Sequence, residues 1–267
     1  LSKLVSAVAH HIMTASTTHP SLSGGAEALA DRGRRAAVGL TLAALILGSW
    51  VILHITSVFF LDVAQTPMWL TAGIVAVLCW LYVGIFIVAH DCMHGTLAPG
   101  HPRLNRVIGQ ICVGLYAGFS FRDLHRKHIE HHRHSGTAED PDFAEPQPMG
   151  FWPWYGTFMR EYLTLRQMVL MAAQSFLYVV VLGASAANAA VFWIVPALLS
   201  SLQLFYFGTY LPHRPGPDAF TDHHRARSNG YPEWLSLLTC FHFGYHHEHH
   251  RMPGEPWWRL PTVRRRG

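Results

Sequence analysis

The sequence predicts an all-α integral membrane protein, four transmembrane helices in two hairpins with a cytoplasmic helical cap that carries clustered histidines. Three observations lead there. Half of the 267 residues are apolar and only 13% are charged, against roughly 25% charged in an average soluble protein. Four uncharged apolar runs reach the ~20 residues a helix needs to cross a bilayer. Histidine, with twenty copies, equals Lys and Arg combined.

Residues 1–37 read as a mobile N-terminal tail, because Leu1–Asp31 is rich in Ala, Ser, Thr and His and lacks the apolar core of a signal peptide. His10 and His11 fall there and read as solvated side chains. Residues 38–267 read as one domain. Val38–Phe60 and Met68–Ala89 form a hairpin around Leu61–Pro67, and Met168–Ala187 and Ala189–Leu211 form a second around a turn near Asn188. Leu104–Ser120 is interrupted by Gly109, Gly114 and Gly118 and reads as a re-entrant or interfacial helix, as does Tyr231–Gly244.

Orientation follows from charge. All twenty Lys and Arg lie in the tail, in Gly95–Gln167 or after Leu211, and none in the two short turns. The positive-inside rule therefore puts both termini and the long central loop in the cytoplasm. The basic Arg264–Arg266 end needs no nucleic acid, since an anionic inner leaflet suffices. Cys79, Cys92, Cys112 and Cys240 are scattered without a C-x-x-C pair, which supports neither a zinc ribbon, an iron–sulfur cluster nor a disulfide framework.

The histidines fall where this topology can use them. His90 and His94 (HDCMH) leave the second span one helical turn apart. His128, His131 and His132 (HIEHH) share one helical face, and His246, His249 and His250 repeat the spacing in HHEHH. His213 ends the fourth span in LPHR. Imidazole suits iron, copper, zinc and nickel, and eight or nine such donors are about right for two ions. The zincin spacing H-E-x-x-H is absent, and Glu130 and Glu248 do not form the Glu-x-x-His pairs of carboxylate-bridged bundles. A histidine-rich di-iron site fits better. His54 reads as structural, and His101, His125 and His134 as solvated. Asp91, Glu130, Asp222 and Glu248 adjoin candidate ligands and could accept hydrogen bonds from their second ring nitrogens. His223 and His224 stand beside Asp222 as supporting groups, with a tenth ligand as the alternative.

The H-x-x-x-H, H-x-x-H-H and H-x-x-H-H set around paired spans resembles the membrane fatty-acid desaturase and hydroxylase superfamily. From about Val38 to Arg259, the strings IVAHDCMHGTLAP, GTAEDPDF, FGTYLPHR, DHHRARS and LLTCFHFGYHHEHH resemble, within it, the bacterial carotenoid 4-ketolase family. That resemblance implies a di-iron oxygenase placing a keto group at carbon 4 of a β-ionone ring, from β-carotene to echinenone and canthaxanthin and from hydroxylated carotenoids toward astaxanthin. It implies the metal ligands His90, His94, His128, His131, His132, His246, His249 and His250, with His213 as an extra one. It also implies two Fe2+ ions, molecular oxygen, an external ferredoxin-type reductant and the bacterial inner membrane. Neither a G-x-G-x-x-G fingerprint nor iron–sulfur spacing is present to supply electrons from within the chain. Phe119, Phe121, Tyr206 and Phe207 are candidate substrate-lining residues. A carotenoid hydroxylase, an alkane hydroxylase or a fatty-acyl desaturase would carry the same clusters. A metal transporter would instead place ionisable groups near the midplane of its spans.

Overall fold

The computed structural model describes residues 22–266, and His10 and His11 lie outside the described residues. Every regular element among them is helical. Helix α1 (Leu22–Ile55) begins well before the apolar run at Val38 and so takes in residues read from the sequence as tail. Ion pairs along one helical face support this extension: Asp31 meets Arg34 at 3.1 Å and Arg35 at 2.8 Å. Arg35 also reaches Glu255 at 3.3 Å, which fastens the helix to the C-terminal region. A wider π-helical turn, Thr56–Phe60, completes α1.

Helix α2 (Met68–His94) is the central element and packs against α1, against α3 (Pro102–Ala117) and against α7 (Ala186–His213). Its second half, from Leu78 onward, is almost wholly buried, and it ends at Gly95, whose φ of 70° closes the helix in the left-handed region. Helix α3 is the interrupted segment expected at Leu104–Ser120. Gly109 has a specific reason there: a Cβ would lie 2.2 Å from the Phe121 ring, so the missing side chain lets the next helix approach. Helix α4 (Phe121–His134) starts at Ser120, whose hydroxyl accepts from Asp123 N. Helices α5 (Phe151–Tyr162) and α6 (Leu165–Val181) follow. After α7 come α8 (Glu233–Cys240), within the segment read as interfacial, then α9 (His246–Arg251) and α10 (Leu260–Arg266).

Among the described residues the expected third span is not one straight helix, and three helices are long and apolar enough to cross a membrane: Glu27–Phe60, Met68–His94 and Ala186–His213. A fourth exists only if α5 and α6, bent 86° at their junction, act as one broken span. The expected Met168–Ala187 span stops at Val181, roughly 25 Å of helix at 1.5 Å per residue. It stops because Gly183 turns left-handed at φ 73°, and because the Ser185 hydroxyl caps the following helix by accepting from Asn188 N. The turn is therefore at Leu182–Ser185, and Asn188 sits inside α7. Side chains such as Leu45, Ile52, Met168, Phe176 and Val180 face outward, an apolar exposure suited to lipid and far beyond a soluble protein's patches.

Asn188 does more than mark a turn. Its buried amide accepts from Val63 N at 3.1 Å and donates to Leu61 O at 2.5 Å, tying the α1–α2 loop to the start of α7. Replacing Asn188 with Leu strands peptide groups away from water, at a cost of about 1–3 kcal/mol. The thermal midpoint of the detergent-solubilised Asn188→Leu protein should fall accordingly, and an unchanged midpoint would show that the tie is dispensable.

Candidate metal centre

At the end of the bundle opposite Asn188, four helices bring imidazoles together. Residues one turn apart on a helix face the same way, so His90 and His94 leave α2 as a pair, and His128, His131 and His132 line one face of α4. The third set rides on α9, which follows a chain reversal where Phe241 and His242 take φ values of 48° and 63°. Gly84 permits the reversal, since a Cβ on α2 there would come within 2.7 Å of the Phe241 ring. His213 arrives from the last turn of α7.

These nine histidines form two groups. The ligand nitrogens of His90, His94, His128, His132 and His249 lie within 4.8 Å of one another, as do those of His131, His213, His246 and His250. Within the first group, Nε2 atoms stand 2.7 Å apart for His94 and His128, 3.0 Å for His132 and His249, and 3.1 Å for His90 and His249. In the second, His250 Nε2 is 3.1 Å from His131 Nε2 and 3.0 Å from His246 Nε2. The His132 and His250 rings stack at 4.2 Å, so the groups adjoin.

This donor set fits metal ions. Bonds of 2.0–2.1 Å to a common ion, at right angles, put neighbouring nitrogens about 3.0 Å apart. Lone pairs aimed at one point repel unless a cation stands among them. His213 makes the same case singly: its Nδ1 faces Arg225 O at 2.9 Å and Ser135 Oγ at 3.2 Å, while its buried Nε2 has no hydrogen-bond partner among the described residues. Burial, reinforced by neighbouring imidazoles, holds His128, His246, His249 and His250 well below the usual histidine range and brings His132 down to about 2. Neutral rings are what a metal requires. His131 differs. Burial alone would lower it, but the Asp142 and Asp140 carboxylates outweigh that and raise it.

Asp140 is the supporting carboxylate that sequence reasoning missed. Its Oδ1 lies 2.9 Å from His131 Nδ1, and it is itself held by the backbone N–H groups of Gly136 and Asp142, each at 2.9 Å. A carboxylate behind a ligating imidazole fixes its tautomer and raises its basicity. The available signal was GTAEDPDF, an acidic loop directly after a three-histidine helix.

The carboxylates named for adjacency do other work, because sequence neighbours on a helix point in different directions. Glu130 turns outward to Arg126 at 3.1 Å. Asp91 accepts from Trp257 N and stays 3.8 Å from His90 Nδ1, beyond hydrogen-bond reach. Asp222 binds His247 Nε2 at 2.8 Å, and Glu248 is held by Ser228 and by Arg264 at 3.2 Å. His223 is exposed, and His224 approaches only to 6.2 Å of the His250 ring; neither joins a group. Their DHHRARS segment contributes the Arg225 carbonyl to His213 instead. His54 is buried near the far end of α1, stacked on Trp50 at 4.6 Å and 3.3 Å from Tyr178 Oη, while His101 and His134 are exposed. His125 is half-buried against Phe121 rather than solvated.

A cavity of about 410 Å³ opens beside the groups, and its wall includes His90, His128, His131 and His246. Of the expected lining residues only Phe119 belongs to it. On α7 the facing positions include Ala197, Ser201, Leu204, Phe205 and Gly208, which share one helical face, whereas Tyr206 and Phe207 point elsewhere. Phe121 is spent on Gly109.

Apolar helices long enough to cross a membrane, with two all-histidine groups able to hold metal ions at one end, define a protein of the membrane histidine-cluster type. The fatty acid desaturase family model matches residues 64–168 and 145–266. The chain is 51% identical over 231 residues to a β-carotene ketolase of Paracoccus sp. (strain PC1), covering 86% of this chain and 93% of the relative. It is 40% identical over 256 residues to β-carotene 4-ketolase 3 of Haematococcus lacustris, covering 86% and 79%. A zeaxanthin 4-ketolase of Chlamydomonas reinhardtii is 40% identical over 237 residues, covering 85% and 53%. The chain belongs to the fatty acid desaturase family, in its carotenoid ketolase branch, and is an enzyme of the oxidoreductase type.

Two variants test the geometry. Asp140→Ala should weaken metal binding about 10–100-fold, the usual effect of removing the group behind a ligating imidazole. His213→Ala should lower bound metal from two ions per chain toward one. Metal analysis after equilibrium dialysis measures both, and full occupancy in His213→Ala would remove that residue from the ligand set.

Proposed function

We propose that this chain is a di-iron carotenoid 4-ketolase that oxidises carbon 4 of a β-ionone ring. The observation that carries the reading is the cavity, whose largely apolar wall ends on imidazoles of both histidine groups, His90 and His128 from one and His131 and His246 from the other. An aliphatic ring with a conjugated tail has no charge to offer and is held by shape and by apolar contact. At about 410 Å³ the space suits one end of a long molecule whose remainder stays in lipid. The names of the Paracoccus and Haematococcus relatives point to the same substrate class.

One iron would be held by His90, His94, His128, His132 and His249, and the other by His131, His213, His246 and His250. Bound there with molecular oxygen and electrons, iron supplies the oxidising power that no side chain possesses. The chain's own part is positional. Asp140 sets the tautomer of His131 and the Arg225 carbonyl sets that of His213. Phe86, Tyr116, Phe205 and Phe243 wall the cavity and keep bulk water from the reacting ring. Two hydroxylations at one carbon followed by loss of water account for a ketone.

The remaining features follow the charge distribution. Counting the bent α5–α6 pair as one span gives four, in two hairpins, with both termini and the histidine cap in the cytoplasm of a bacterial inner membrane. Electrons would come from a soluble ferredoxin-type protein. Exposed Arg103, Arg122, Arg126 and Arg133 on this face offer such an acidic partner complementary charge.

In bacteria that accumulate β-carotene, expression of the chain should convert the pigment to its 4-keto derivatives, seen by chromatography, and the purified protein should carry close to two irons. His94→Ala, His132→Ala and His250→Ala should each abolish ketone formation while the protein still inserts. Unchanged pigment with full iron occupancy would overturn the substrate assignment. For orientation, reporter fusions after Gly267 should score as cytoplasmic and insertions at Gln65 or Gly183 as periplasmic. A periplasmic C-terminus would refute the topology.

A further inference from the structure

We propose that Asp142 and Tyr162 form a hydroxyl-recognition site at the metal end of the cavity, so that the enzyme selects β-ionone rings already hydroxylated next to the carbon it oxidises. The inference rests on the ketolase reading and adds a substrate preference to it. The cavity wall is mostly aliphatic and aromatic, and a bare hydrocarbon gives a carboxyl group nothing to bind. Yet Asp142 and Tyr162 stand in that wall alongside His90, His128, His131 and His246. A carboxyl facing an apolar space is costly unless a polar group meets it.

The hydrogen bonds of Asp142 leave one oxygen for a ligand. Its Oδ1 accepts from the Tyr162 hydroxyl. Its backbone N–H is spent on Asp140, and its carbonyl accepts from Trp154 Nε1 at 2.8 Å. Asp142 Oδ2 lies 3.8 Å from His131 Nδ1, too far for a hydrogen bond, and that nitrogen is already engaged with Asp140 at 2.9 Å. Among the described residues Oδ2 has no hydrogen-bond partner, and the side chain keeps 15% exposure in the wall of the cavity.

Tyr162 is held for the role. The Lys127 ammonium sits 4.5 Å from the centre of its ring, Lys127 is itself paired with Glu161 at 2.6 Å, and the Phe158 ring lies 4.6 Å away. A ring hydroxyl on the carbon beside the oxidised one could donate to Asp142 Oδ2 while the ring faces the histidines. With an unhydroxylated ring, a water can take the hydroxyl's place. The pair therefore sets a preference between substrates and does not exclude the hydrocarbon.

The test is equilibrium binding of zeaxanthin, which carries ring hydroxyls, and of β-carotene to the detergent-solubilised full chain, followed by the shift of the carotenoid absorption band. The affinity ratio, zeaxanthin over β-carotene, should fall about tenfold in Asp142→Leu, the scale of one hydrogen bond to a carboxyl. It should fall about threefold in Tyr162→Phe, a change small enough to leave the fold intact. A ratio equal to wild type in both variants overturns the proposal, including the case where both affinities drop together because Asp142 merely steadies His131. Binding needs no turnover, so a ratio that shifts in a protein making no ketone would count against the ketolase reading and not against this site.

Discussion

Everything in this protein is arranged around one electrostatic constraint: nine imidazoles, six buried and three half-buried, converge with their ring nitrogens facing each other. Nitrogens about 3 Å apart converge as ligands of a common cation do, and burial keeps most of those rings neutral and available to bind one. The rest of the cap supplies what the ions cannot, which is the orientation of each ring. Asp140 does so for His131, the Arg225 carbonyl does so for His213, and helical spacing does so for the pairs on α2, α4 and α9.

The membrane helices are the second half of the same arrangement. Helix α2 carries His90 and His94 on its end, and it is packed on by α1, α3 and α7, which makes it the rigid post for the metal centre. The opposite ends of the bundle are joined through Asn188, so the helices are tied both above and below the apolar region. The cavity lies among α2 to α7, with its wall reaching the histidines.

The histidines that converge were legible from the sequence because their clustering depends on helical periodicity and on the ends of apolar runs, both local properties. His213 was the exception to periodicity, a lone residue marked by its place at the end of an apolar span. The supporting residues were less legible. Glu130 and Asp91 stand next to ligands in the chain and point away from them, whereas Asp140 lies nine residues past His131 and bonds to it. The third span was read too long because apolar composition continues through Leu182–Ala187, while the turn there is decided by the left-handed Gly183 and the Ser185 cap.

The sequence by itself determined that the chain is helical, that apolar runs long enough for a bilayer alternate with histidine pairs, and that those pairs present donors on single helical faces. Each of these follows from hydrophobicity and from the 3.6-residue period, which act over a few turns of chain. Tertiary structure alone decided how nine imidazoles divide into a group of five and a group of four, which carboxylate stands behind which ring, and where α5 and α6 bend. It also placed Asp142 and Tyr162 in the wall of an otherwise apolar cavity. Those outcomes depend on distances between residues far apart in sequence, set by how the helices pack, and no local pattern encodes them.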